Sequence, residues 1–371
     1  MLYDPAAFEP LTDEPWDEER VRAGIRAIVA DVDEAHDPDG LWPAHEWDSW
    51  QSATPMKNLY VGAAGVVWAL NELRRHAETR LDLPAVAARA LELWRAEPDF
   101  MAGAELPSPP ESSLLCGEVG PLLVAWKLAP SDELADDLLE RIRENVDNEA
   151  EELMWGSPGT ILAARALHEA EAGRESADAL LARRDDDGLW KQRLYGGVYR
   201  LLGPVHGLVG NVLALRPDHD LQAETATILA REAVIEEGLA NWPEEFGGPV
   251  EAKLQWCHGA PGMIATAAEY LDEELLLAGA ELTWRAGAHG EEKGAGLCHG
   301  TAGNGYALLK AFVRTGDELW LERARRFAVH ALQQAQQLPG RYSLFTGGVG
   351  AALFAADCLE AEPRFPVLDY L

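Results

Sequence analysis

Lysine is nearly missing from this sequence. Of 371 residues only six are lysine (Lys57, Lys127, Lys191, Lys253, Lys293 and Lys310), and all basic side chains number 31 against 63 acidic ones. The formal charge of −32 repels nucleic acid and anionic lipid at long range, so neither is expected as a partner. The same field keeps a surface soluble and would gather a basic peptide. Long apolar runs are missing too: none reaches about 18 residues, so no membrane span is expected. The opening Met1-Leu2-Tyr3-Asp4-Pro5 has neither a basic nor an apolar stretch of the secretory kind. Cysteine is scarce; four in a chain this long make no disulfide framework and fit a reducing compartment. A cytoplasmic location follows as the expectation. No Pro/Gly/Ser-rich linker or composition shift divides the chain. Residues 1–371 are therefore expected to form one domain, with 1–54 as a leading segment plus outer helix and the first repeat motif near 55–75.

Glycine, by contrast, is abundant and ordered. A Gly-x-x-Gly element recurs at Gly62/Gly65, Gly117/Gly120, Gly156/Gly159, Gly207/Gly210, Gly259/Gly262, Gly300/Gly303 and Gly347/Gly350. Successive first glycines lie 55, 39, 51, 52, 41 and 47 residues apart, a period of the kind that builds repeat architectures. Each motif opens a stretch that is apolar nearly all round, such as Val66-Val67-Trp68-Ala69-Leu70 or Leu122-Leu123-Val124-Ala125-Trp126, as a buried helix should be. Between them lie amphipathic stretches with charged faces (132–149, 221–236, 317–337) that read as outer helices. The fold class expected is all-α, with seven pairs of outer and inner helix, about fourteen helices in all. Seven such hairpins stack as an open solenoid or close into an α/α toroid. The closed ring is expected because it gathers the polar motif residues at one rim, where inner-helix N-termini present unpaired N–H groups. Glycine at these points is expected to permit close backbone approach or a positive φ.

Two of the seven motifs carry metal chemistry. Trp256-Cys257-His258-Gly259 and Cys298-His299-Gly300 each join a thiol to an imidazole. Cys257, Cys298 and His299 make a three-ligand set for one Zn2+, the number found when a metal keeps one position open for water or substrate. A closed structural site would show four ligands and tight Cys-x2-Cys spacing, which are absent.

Gln255-Trp256-Cys257-His258-Gly259-Ala260-Pro261-Gly262 and Gly296-Leu297-Cys298-His299-Gly300-Thr301-Ala302-Gly303-Asn304 together resemble the lanthionine synthetase C family. The likeness is closer to its stand-alone LanC-like members than to the lantibiotic cyclases, which tend to carry Tyr where His258 sits. Leu115-Cys116-Gly117-Glu118-Val119-Gly120-Pro121, Val205-His206-Gly207-Leu208 and Arg364-Phe365-Pro366 resemble the same branch. The resemblance spans residues about 55 to 371 and implies an α/α toroid with zinc at one end of the bore.

The chemistry implied by this resemblance is addition of a thiolate to a dehydroalanine or dehydrobutyrine residue, giving a thioether, with glutathione as the thiol of the LanC-like branch. It implies His206 as the acid/base histidine that handles the enolate proton. It also places Glu152 roughly where cyclases have a catalytic Asp, although Glu149, Glu151 and Glu152 read equally as a solvated acidic cluster. It leaves His258 outside the metal shell as a neighbour of Cys257. Lys293 matches a glutathione-contacting lysine, and Arg341 more loosely a second cation; two cations would suit the two carboxylates of glutathione. Cys116 and Cys358 read as buried inert thiols, and Trp256, Trp155 and Tyr60, which flank motif glycines, read equally as rim packing or as substrate contacts. The expected partners are glutathione and a peptide or protein containing dehydroamino acids. No dehydratase domain is in the sequence, so the expected source is either a separate dehydratase or kinase/lyase partner or dehydroamino acids that arise by damage or elimination. The alternatives are a lantibiotic-type cyclase with such a dehydratase and a non-catalytic zinc scaffold. Terpene or prenyl transfer is disfavoured, because it usually needs an aspartate as third ligand. The segment 238–253 reads as a loop able to gate the site.

Overall fold

The two helix populations differ first in how they start. Asp17, Asp82, Ser131, Asp218, Asp272 and Asp317 each accept a backbone N–H at the start of an amphipathic helix, which satisfies donors that the helix itself cannot pair. Six of the apolar helices instead begin at glycines with no side-chain cap, and the seventh begins at Glu118, next to Gly117, again with no side-chain cap. A computed structural model describes residues 1–48, 54–99 and 105–371. In chain order, the amphipathic set is α1 (Glu18–Ala35), α3 (Leu83–Ala96), α5 (Asp132–Glu144), α7 (Ala170–Ala182), α9 (His219–Glu232), α11 (Glu273–Ala286) and α13 (Glu318–Gln337). The apolar set is α2 (Ala63–Leu73), α4 (Val119–Leu128), α6 (Ser157–Ala166), α8 (Leu208–Ala214), α10 (Ala260–Ala267), α12 (Thr301–Thr315) and α14 (Gly348–Glu360).

Each apolar helix packs on the next, and α14 returns to α2, so the seven close into the inner ring of an α/α toroid. The amphipathic helices flank them, each burying one stripe; α1 seats Val21, Ile25, Ile28, Val29 and Val32 against α13 and α14. Full burial of such a side chain contributes roughly 1.5–3 kcal/mol, which is why the inner helices tolerate so few polar residues. A belt of backbone hydrogen bonds ties the turns that precede the inner helices. Tyr60 N–H donates to Leu115 O (2.9 Å), Leu153 to Val205 (3.0 Å), Cys257 to Cys298 (3.2 Å), Cys298 to Phe345 (2.7 Å) and Phe345 back to Tyr60 (3.1 Å). The last of these joins the seventh repeat to the first.

The motif glycines answer to close approach. In every repeat a Cβ on the second glycine would collide with the carbonyl oxygen six residues earlier: 2.2 Å from Leu59 O at Gly65, 1.9 Å from Pro204 O at Gly210 and 1.7 Å from Leu297 O at Gly303. Positive φ, the other reason anticipated, is found at one motif glycine only, Gly259 (φ +95°).

Two small hairpins and one long-range strand pair stand beside the helices among the described residues: β2 (Gln192–Leu194) turns back on β3 (Gly197–Tyr199) and β4 (Val234–Glu236) on β5 (Leu239–Asn241), while β1 (Phe8–Glu9) near the start pairs with β6 (Ala288–His289), all antiparallel. The outer helices anticipated to reach residues 149 and 236 stop at Glu144 and Glu232 instead, the second because Val234-Ile235 enter a strand. The segment 238–253, read above as a loop, begins in the β4–β5 turn, includes β5 and is pinned: buried Trp242 donates its indole N–H to Leu229 O (2.8 Å). Arg200 and Arg231 also stand over Phe246, 5.2 and 4.8 Å from its centroid. No helix among the described residues is long and apolar enough to cross a membrane.

Candidate metal centre

The turn before α10 carries Cys257 and the turn before α12 carries Cys298 and His299; the Cys257 N–H to Cys298 O bond holds the two turns together. Positive φ at Gly259, with a Cβ there only 2.4 Å from Lys253 O, lets the chain turn sharply into α10 directly behind Cys257-His258. The donor atoms of Cys257, Cys298 and His299 all lie within 4.8 Å of one another, and Cys298 Sγ is 3.5 Å from His299 Nε2. Both sulfurs are buried. Gln255 donates its amide to Cys257 Sγ at 2.9 Å, and the Tyr60 phenol hydrogen-bonds Cys298, the kind of outer contacts that orient metal-binding thiolates. Burial pushes the Cys257 thiol up, but hydrogen bonding with Cys298 and the nearby His258 and His299 bring it well below its ordinary value. Cys298 is pushed up by burial and by the neighbouring Cys257 sulfur. Two sulfurs beside an imidazole, with no carboxylate among the three, are a donor set that fits zinc and leaves a fourth position open.

His258 is turned to other partners. Its Nε2 lies 3.3 Å from Glu244 Oε1, and its ring stacks on His206 at 6.3 Å between centroids. Burial lowers its pKa, against the charges of Cys257 and Glu244.

His206 precedes α8 and Glu152 precedes α6; Leu153 N–H to Val205 O brings these two turns side by side. Glu152 is 0% exposed, so it is no part of a solvated acidic surface. Its carboxylate accepts the N–H groups of Met154 (3.0 Å) and Trp155 (2.6 Å) and meets His206 Nδ1 at 2.7 Å. Burial works to lower the His206 pKa, yet the charge and hydrogen bond of Glu152 win and raise it overall. Nδ1 thus carries a proton toward Glu152 and Nε2 remains for exchange. Glu151 is also buried, paired with Arg183 at 2.7 Å, and burial raises its pKa to about 7 against that pairing. Only Glu149 of the three is exposed.

Lys293 and Arg341 are brought together around one ring: Lys293 Nζ lies 5.5 Å and the Arg341 guanidinium 5.4 Å from the centroid of Trp47. Arg341 also pairs with Asp48 (3.3 Å) and donates to Lys293 O (3.3 Å). Lys293 has no carboxylate partner among the described residues. Cys116 and Cys358 are buried, and burial holds both thiols well above their ordinary value. Trp256 stacks on Phe365 (4.6 Å) below the metal turn.

Sequence reasoning did not single out Gln255 or Glu244, nor did it assign Tyr60, Trp47 or Tyr195 a role at the site. Gln255 adjoins the cysteine motif, a signal of sorts. Tyr195 had none, because it reaches the site from the β2–β3 hairpin, where its hydroxyl accepts the Trp155 indole N–H at 2.8 Å.

A closed α/α toroid with a Cys-Cys-His triad at one rim defines a class, and comparison with known proteins places the chain in it. Residues 55–370 match the family model for lanthionine synthetase C-like proteins, and the chain belongs to that family. It is 27% identical over 308 residues to a protein of Danio rerio named glutathione S-transferase LANCL1, covering 69% of this chain and 74% of that one. It is 28% identical over 191 residues to LanC-like protein GCL1 of Arabidopsis thaliana, covering 47% of this chain and 43% of that one. Among solved structures it resembles nisin cyclase, with a TM-score of 0.59 and 13% identity over 94% of this chain and 98% of that chain, a likeness of fold.

Proposed function

We propose that this chain adds a thiol, with glutathione as the first candidate, to dehydroalanine or dehydrobutyrine residues of a peptide or protein, forming a thioether. The observation that carries this reading is the pairing of two preparations at one rim: a thiol-rich metal triad and a carboxylate-oriented histidine. Cys257, Cys298 and His299 would hold one zinc ion. When bound, zinc supplies the chemistry of turning a coordinating thiol into a thiolate near neutral pH.

The chain's own residues do the rest. Lys293 and Arg341 receive the carboxylates of glutathione, with Trp47 fixing both cations. As the sulfur bonds to the β-carbon, the double-bond electron pair moves to the α-carbon and its carbonyl. His206 then delivers a proton to the α-carbon, and Glu152 holds the ring and stabilises its charged form. The buried turns around the triad limit water at the reacting centre. The name of the Danio rerio relative supports a glutathione-using branch.

The experiment that tests this sets two thiols in competition. A peptide containing both dehydroalanine and a cysteine is incubated with zinc-loaded protein and glutathione, and products are weighed by mass spectrometry. The expected product carries one added glutathione. Ring closure without any mass gain would assign the chain to the cyclase reading. Unchanged peptide would leave the zinc scaffold.

A further inference from the structure

The β2–β3 hairpin has a turn of two residues, Tyr195-Gly196, both at positive φ (+51° and +76°). Such turns favour Asn, Asp or Gly at the first position, because a large side chain is strained there. Tyrosine is held against that preference by a contact outside the hairpin. Its hydroxyl oxygen accepts the Trp155 indole N–H at 2.8 Å, and the Trp155 backbone N–H donates to Glu152 Oε1 at 2.6 Å. Glu152 in turn meets His206. One connected path therefore runs from the hairpin tip to the histidine.

Because the oxygen of Tyr195 is occupied as an acceptor, its own O–H is left to donate, and no protein acceptor takes it among the described residues. Half of the residue is exposed, with the hydroxyl turned inward to Trp155. Burial of the phenol and the charge of Glu152 hold it above its ordinary pKa, so it stays a neutral donor. The cations Lys293 and Arg341 belong to the sixth and seventh repeats, remote along the ring from the third repeat that anchors Tyr195. They are engaged around Trp47, so they do not fill the need for a donor on this side.

We infer that Tyr195 is a catalytic residue whose phenol donates a hydrogen bond to the carbonyl oxygen of the dehydroamino acid acceptor. The inference rests on the thiol-addition reading given above. In that reaction the thiolate sulfur bonds to the β-carbon, and the π pair shifts onto the α-carbon and the carbonyl oxygen. Tyr195 stabilises that oxygen without giving up its proton. The proton that reaches the α-carbon comes from His206 and equals the one lost by the thiol, so charge and atoms balance. A donor aimed where negative charge develops acts on the transition state more than on the bound substrate.

The test is steady-state kinetics of glutathione addition to a dehydroalanine peptide for wild type, Tyr195→Phe and Trp155→Phe, with zinc content and thermal midpoint measured on each. Tyr195→Phe keeps the ring and removes both the free donor and the acceptor of the Trp155 indole N–H, and Trp155→Phe controls for the second loss. The expected result is a fall in kcat of about 100-fold, the scale of losing one such donor, with KM for glutathione and zinc content unchanged and the midpoint lowered no further than in Trp155→Phe. Trp155→Phe, which frees the phenol from its orienting bond, is expected to give a smaller loss of the same kind. Wild-type kcat in Tyr195→Phe would overturn the inference while leaving the proposed function intact. So would a loss of activity that tracks lost zinc, or one no greater than in Trp155→Phe, since that marks a structural role. A zinc-loaded wild type that forms no adduct would overturn the proposed function and the inference together.

Discussion

Glu152 and His206 show how far a side chain's surroundings decide its chemistry. A carboxylate with no exposure is held by two backbone N–H groups and pointed at one imidazole nitrogen. Glu152→Gln keeps the shape and removes the charge. The expected outcome is a His206 pKa that falls toward or below its ordinary 6.5, read from its imidazole resonances by NMR, with a loss in kcat of about 100-fold. The pH dependence has a definite sign. A histidine whose folded pKa is raised contributes stability that is fully present below 6.5 and is lost as pH rises through the raised value. The stability gap between wild type and Glu152→Gln, from denaturant titrations of zinc-loaded protein, should therefore narrow as pH is taken from about 6 upward; a gap that widens would refute the assignment. At the metal triad, Cys298→Ala or His299→Ala removes one of three donors, and zinc content by elemental analysis should drop far below one per chain. The cysteines and histidines were legible in the sequence because thiols and imidazoles are rare and their motifs are compact. The burial of Glu152 was not legible, because a Glu-rich stretch reads as surface until the turn that folds it inward is seen.

Elements show the same division. Helix identity and order follow from periodicity, and the repeat could be read from glycine alone. The reason for the glycine, a carbonyl oxygen six residues back, needed coordinates. Gly303→Ala, which puts a Cβ 1.7 Å from Leu297 O, is expected to cost about 3 kcal/mol and to weaken zinc binding through the adjoining turn; denaturant midpoints and zinc titration check it. The β2–β3 hairpin is the converse case. Its strands have three residues each, too short to stand out from their neighbours, and its turn residue contradicts local preference. Tyr195→Asn should relieve that conflict and raise stability by about 1 kcal/mol while it lowers activity, a combination found where strain serves function. Equal or lower stability would show that the Trp155 contact outweighs the strain.

The whole molecule is a closed ring in a strongly acidic skin. Ring closure was reasoned from the gathering of polar motifs, and the Phe345 to Tyr60 bond supplies it. Charge balance was legible from composition, and its consequence is physical. With 63 acidic against 31 basic side chains, most carboxylates cannot find a cationic partner, so net repulsion outweighs the local ion pairs. Added salt should raise the thermal midpoint, as the screening length falls from about 30 Å at 0.01 M to about 3 Å at 1 M. A falling midpoint would mean that the ion pairs dominate.

The central claim is that the triad and His206 together perform thiol addition. Intact-mass spectrometry of a dehydroalanine peptide with glutathione and zinc-loaded protein, run beside Cys298→Ala and His206→Ala, tests it most directly. The expected result is a gain of one glutathione with the wild type, lost in both variants, while His206→Ala still holds one zinc per chain. No adduct from wild-type protein that carries its full zinc would contradict the claim.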